Sequence, residues 1–150
     1  MERISSFSAD HTKIVPGIYR ARIDGDIMTY DLRTRKPNAG DYMDHSTMHT
    51  FEHMFATFVR NSAIKDRVIY FGPMGCQTGF YLLIRNADDS ETVDIIKDIL
   101  RKISVYDGEV FGASEIECGN YRSLELSKAK KEAAEYLVVL ENNGVVNEYE

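Results

Sequence analysis

Apolar and polar residues alternate along IYRARI (18–23), the period of two expected of a half-buried strand, and IMTYDLR (27–33) is the expected returning strand. Asp24-Gly25 follows the first run and signals a two-residue hairpin, because glycine tolerates positive φ. KPNAGDYM (36–43) is a loop by its Pro, Asn and Gly, and residues 47–61 follow as the first helix. RVIYFG (67–72) and TGFYLLIR (78–85) are two further strands joined by the turn PMGCQ. Between 90 and 105, apolar residues recur at Val93, Ile96, Ile99, Leu100 and Ile103, which is helical spacing. A glycine-containing loop leads to ECGNY (117–121), after which Ser127 is the expected N-cap of a last helix ending before Gly144. The order is β-β-α-β-β-α-loop-α. Long βαβ crossovers do not repeat, so the prediction is a single α+β domain over 1–150, an antiparallel sheet packed by helices.

Composition narrows the class without changing that picture. The apolar and charged shares, 43% and 28%, are those of a globular protein. No run approaches the ~20 apolar residues of a membrane span, and MERISSFSADHTK has neither the apolar stretch nor the cleavage site of a secretory signal. A cytoplasmic protein with no membrane partner is expected. The net charge of −6 and the scattered Lys and Arg argue against a nucleic-acid partner. Two cysteines in a reducing compartment point to metal binding, catalysis or burial rather than a disulfide.

The chemistry concentrates in HTFEHMFATFVRN (49–61), on the predicted central helix. At about 100° per residue, His49, Glu52, His53 and Ala56 share one arc, and Phe51, Met54, Phe55 and Phe58 fall on the opposite side. The aromatic side is the expected core face. Two histidines at i and i+4 can converge on one divalent metal, and a carboxylate beside them needs a compensating charge or a chemical task. The plainer alternative is two histidines that only make hydrogen bonds. A third protein ligand is expected, with Cys118 beside Gly119 a candidate alongside Cys76, His11 and His45. A thiolate ligand would favour Zn, Fe(II) or Co(II) over Mg or Ca. Cys76, in the tight turn GPMGCQTG, could act as base or nucleophile if a nearby cation stabilised its thiolate.

As a string, His49-x-x-Glu52-His53 is also the inverted zinc-peptidase signature. The chain is short for such an enzyme and offers a cysteine where those enzymes take a distant carboxylate.

A wider pattern carries more weight. SFSADHT, DLRTRKPN, MHTFEHMFATFVRN, GPMGCQTGFYLL and ECGNY occur in this order, and together they resemble the S-ribosylhomocysteine lyase family over roughly residues 5–140. The resemblance implies a homodimer with shared active sites and one divalent metal per subunit, typically Fe(II) and sometimes Zn or Co. It implies cleavage of the thioether of S-ribosylhomocysteine to homocysteine and 4,5-dihydroxy-2,3-pentanedione, the autoinducer-2 precursor of quorum sensing, within the methyl cycle. On matching positions it implies His49, His53 and Cys118 as metal ligands and Cys76 and Glu52 as general acid and base. Ser6, Phe7, His11 and Arg33 would bind substrate, Arg33 by pairing with the homocysteine carboxylate. The plainer readings are an exposed strand-end charge for Arg33 and a turn hydrogen bond for His11. A non-catalytic metal-binding relative would keep the metal set alone.

After ECGNY the chain reads RSLELSKAKKEAAEYL, where many relatives have a His, and two further positions depart from the family. Tyr70 stands where many members have Asp, and Gly72 where a Ser commonly precedes the Pro. Both are close to Cys76 in sequence and bear on how the sugar hydroxyls are held. His45 has no counterpart and is unassigned.

Overall fold

The computed structural model describes all 150 residues. Its regular elements are β1 (Gly17–Asp24), β2 (Ile27–Arg33), α1 (His45–Val59), β3 (Val68–Pro73), β4 (Gly79–Arg85), α2 (Asp89–Val105), α3 (Leu126–Asn142) and β5 (Val146–Asn147). They form an α+β fold around one five-stranded sheet in the order β3-β4-β2-β1-β5. The β3-β4-β2-β1 core is antiparallel, as the pattern predicts. The two-residue β5 adds to β1 in parallel, so the sheet as a whole is mixed.

Two local expectations shift. Asp24 pairs with Ile27, so the hairpin loop is Gly25-Asp26, one residue beyond the expected Asp24-Gly25, with Gly25 at φ +61°. The last helix does not start from a Ser127 cap. Its N-cap is Glu125, whose side chain caps nothing, and Ser127 lies inside the first turn. The backbone N–H of Glu125 donates instead to Thr50 Oγ1 of α1 at 2.8 Å. A tertiary acceptor has taken the place of a local one.

The two faces of the sheet differ. Tyr30, Leu32, Phe80, Leu82 and Ile84 point into a core shared with Phe51, Met54 and Phe55 of α1 and with the apolar sides of α2 and α3. Phe51 stacks on Phe80 at 4.6 Å and Phe55 on Phe71 at 4.4 Å, the face predicted for α1. Side chains alternate along strands, so Thr29, Asp31, Arg33, Tyr81 and Leu83 point the other way. No helix covers that second face. The segment around Ile4–His11 and Tyr149 near the C-terminus lie across part of it and enclose a cavity of about 390 Å³. A bulge in β3 places both Val68 and Phe71 against the core and turns Tyr70, opposite Leu83, to the open face. No helix is long and apolar enough to cross a membrane.

Candidate active site

His49, Glu52 and His53 stand on the side of α1 that faces away from the sheet. The helix is fixed there by its Phe face below and by Asp44, whose carboxylate accepts the N–H of Thr47 at 2.8 Å. The chain from Gly108 to Ser123 folds back over this surface and delivers Cys118. The ligating atoms of His49, His53 and Cys118 all lie within 4.8 Å of one another. His49 Nε2 and Cys118 Sγ are 3.4 Å apart. Two atoms bound to one tetrahedral metal at 2.0–2.3 Å would be about 3.5 Å apart, so the spacing suits a shared ion.

The donor set is also prepared chemically. His53 Nδ1–H donates to the Phe111 carbonyl at 2.7 Å. His49 Nδ1 meets Ser123 Oγ at 2.6 Å, and that hydroxyl itself donates to the Asn120 carbonyl. Ser123 therefore accepts from His49. Both imidazoles keep Nδ1 protonated and present Nε2 as a free lone pair, the usual way a ligating tautomer is fixed. Burial, with His53 and His45 nearby, holds the His49 imidazolium below its ordinary range, so the neutral, ligating form is favoured. The Asn120 N–H donates to Cys118 Sγ at 3.4 Å and fixes where the sulfur sits. Gly112, at φ +71°, lets the loop close on His53, since a Cβ there would lie 3.1 Å from Nδ1.

Glu52 is half-buried beside this cluster and makes no hydrogen bond within the chain. Burial pushes its carboxyl up, offset in part by His53. His45 is exposed, with its ring 5.4 Å from that of His49, and is not one of the converging ligands.

Cys76 occupies a different place. It sits in the β3–β4 turn, where Gln77 rather than a glycine takes the left-handed conformation, at φ +66°. Its thiol is 2.9 Å from Thr78 Oγ1 and 3.9 Å from Arg33 Nη1. Arg33 is buried, which disposes of the exposed strand-end alternative. It holds Asp31 through Nε at 3.1 Å and Nη2 at 2.6 Å, and Thr78 through Nη1 at 2.8 Å. Burial works against its charge, and Asp31 more than offsets it. Arg33 thus places a cation beside the Cys76 thiol. The small cavity lined by Cys76 is also lined by His11 but by none of the three converging ligands.

Ser6, His11, Arg33 and Tyr70 line the larger cavity on the open face. His11 makes the expected turn bond, Nδ1 to the Ala9 carbonyl at 3.0 Å, while bordering both cavities. Phe7 is 66% exposed and lines neither. The two departures from the family pattern prove to be one feature. A Cβ on Gly72 would fall 2.1 Å from the Tyr70 hydroxyl oxygen, so the Tyr70 ring occupies the space a serine at 72 would need.

Sequence patterns left out Ser123, Gly112, Thr78 and Asp31. Asp31 alone had a signal, as the residue two before Arg33 on the same strand face.

A model of the family described as S-ribosylhomocysteinase (LuxS) matches residues 4–146. The S-ribosylhomocysteine lyase of Finegoldia magna is 46% identical over 147 residues, covering 95% of this chain and 94% of the relative. That of Desulfotalea psychrophila is 44% identical, again over 95% and 94% of the two chains. That of Borreliella burgdorferi is 40% identical with the same coverage.

Proposed function

The chain belongs to the S-ribosylhomocysteinase family, and on that footing we propose that it is a metal-dependent carbon–sulfur lyase that cleaves S-ribosylhomocysteine to homocysteine and 4,5-dihydroxy-2,3-pentanedione. The observation that carries the reading is the convergence of His49, His53 and Cys118 with both histidine Nδ1 atoms tied back. The zinc-peptidase alternative has no such support, since its third ligand would be a carboxylate and none converges here. We assign one divalent metal per chain to these three residues. A donor set of two imidazoles and a thiolate is borderline-soft and suits Fe(II), Zn or Co; the choice of Fe(II) among them rests on the family resemblance.

When bound, the metal supplies Lewis-acid polarisation of the sugar carbonyl. The remaining work is proton transfer. The thioether carbon of the ribose is not activated for elimination. Moving the carbonyl from C1 to C2 to C3 makes the C4 proton acidic and leaves the sulfur β to the carbonyl. Each move takes a proton from one carbon and returns it to its neighbour, so the base must be able to give its proton back. Cys76, with Arg33 beside it to stabilise a thiolate, suits carbon deprotonation and reprotonation. Glu52, raised by burial and free of hydrogen bonds, suits exchange with the oxygens and protonation of the departing thiolate.

Ser6, His11 and Arg33 would border the bound substrate. Arg33 already commits Nε and Nη2 to Asp31, which favours an electrostatic part over a full clamp on a carboxylate. Glu52 and the metal ligands lie on the helix layer, while Cys76 lies by the open sheet face. One substrate can meet both only if a second chain brings its open face to the first chain's helix. We therefore assign a homodimer with shared sites, in which the exposed Phe7 reaches the partner.

The test is homocysteine release from S-ribosylhomocysteine by Fe(II)-loaded protein prepared without oxygen, quantified by chromatography. Turnover is expected from the wild type and a loss of at least about 100-fold in Glu52→Gln and in Cys76→Ala. Undiminished turnover in Cys76→Ala would remove that residue from the mechanism. No release from metal-replete wild type would overturn the lyase reading.

A further inference from the structure

The C-terminal tail ends on the buried ion pair beneath Cys76. Val146 and Asn147 pair with Ile18 and Tyr19, and Glu148 bonds Arg20. The Tyr149 ring then stacks on Tyr19 with centroids 5.3 Å apart. That brings its hydroxyl to Asp31 Oδ2, to which it donates at 2.6 Å. The same oxygen accepts Arg33 Nη2, also at 2.6 Å. Arg33 Nη1 continues to Thr78 Oγ1, which lies 2.9 Å from Cys76 Sγ. An unbroken hydrogen-bonded chain therefore joins the penultimate residue to the thiol.

We propose that Tyr149 is a positioning residue for Cys76: through Asp31 it sets the strength and aim of Arg33, and through Arg33 and Thr78 the state of the thiol. The physical reason is charge sharing. Asp31 is fully buried and its only charged partner is Arg33. A phenol donating to Asp31 takes up part of the carboxylate's charge and leaves more of the guanidinium's field for the thiol. Without it, Asp31 draws on Arg33 alone, and water from the adjoining cavity reaches the pair. Burial and the charge of Asp31 keep the Tyr149 phenol protonated, as a donor must be. The other titratable groups facing Cys76 are Tyr81 from β4, and His11 and Tyr42 from the loops beside the turn.

The consequence for turnover rests on the proposed acid–base role of Cys76. The consequence for the thiol does not, so the two are measured separately. Metal-loaded enzyme is treated with iodoacetamide at neutral pH, and the peptide containing Cys76 is followed by mass spectrometry. Tyr149→Phe keeps the ring on Tyr19 and removes only the donor. It is expected to slow Cys76 alkylation about threefold to tenfold, part of what one charged hydrogen bond contributes. It should lower kcat by a similar factor and change KM less than about twofold. A second variant ending at Asn147 should do the same. Faster alkylation would mean that the tail merely packs, and an unchanged rate that the chain of bonds transmits nothing; either overturns the proposal. If Cys76→Ala keeps full turnover, the acid–base reading falls, and slowed alkylation in Tyr149→Phe would still uphold the relay.

Discussion

Ser123 determines what His49 can do. With its own proton donated to the Asn120 carbonyl, the hydroxyl can only accept at His49 Nδ1, and the ring has one nitrogen left for a metal. Ser123→Ala frees that ring, and losing such a supporting bond typically costs about 10- to 100-fold in metal affinity. Competition with a chromophoric chelator should show that weakening, with the fold intact by circular dichroism. The His-x-x-x-His spacing was legible because i and i+4 share a helix face. Ser123 was not, since it lies 74 residues from His49 and only tertiary folding joins them. Tyr70 and Gly72 make the same point. As separate letters they looked like two departures near Cys76, whereas sterically they are one. Tyr70 is 51% exposed, so its ring can swing out if a side chain appears at 72. Gly72→Ala should therefore cost under about 1 kcal/mol in stability. It should change KM for S-ribosylhomocysteine as Tyr70→Ala does, and the double variant should be no worse than either single one. Additive effects on KM would refute the coupling.

At the scale of elements, periodicity was informative and termini were not. The first helix was expected over 47–61 and spans His45–Val59; the second was expected over 90–105 and spans Asp89–Val105. The errors fall where a tertiary partner outweighs a local one, as at Ser127. β5, two residues long, has no pattern to read; it exists because α3 returns the chain beside β1. The start of α1 depends on Asp44, which caps Thr47 and pairs with Lys128 of α3 at 2.8 Å. Lys128, and then the Thr47 hydrogen bonds, hold the Asp44 carboxyl well below the usual carboxylate range. A group depressed in the folded state stabilises above its unfolded pKa, about 3.9 for Asp, and that contribution is lost as pH falls further. Asp44→Ala should thus lower stability by about 1 kcal/mol near pH 7, the usual worth of an N-cap. In urea titrations the gap from wild type should narrow as the pH drops below about 4. A gap that widened in acid would contradict the assignment.

For the whole molecule, the sequence placed five motifs in order along one chain, and the resemblance they carry implied a site shared between two chains. The fold distributes them over two layers. The aromatic face of α1 must pack on the sheet, so His49, Glu52 and His53 necessarily face outward on the helix side. The alternation along β2 and β4 puts Asp31, Arg33 and Tyr81 on the opposite side, and Cys76 follows Arg33. A strand's period of two and a helix's 3.6 are local rules. They assign each residue to a face, but they leave open which face a second chain would meet. The separation itself generates a test. Cys76→Ala and His53→Ala are each expected to be inactive. In a dimer with shared sites, a mixed pair holds one site with intact metal ligands from one chain and intact Cys76 from the other. Co-expression in equal amounts makes about half the dimers mixed, each with one working site of two, so about a quarter of wild-type homocysteine release should return. If each site were complete within its own chain, every site in the mixture would carry one defect and no activity would return.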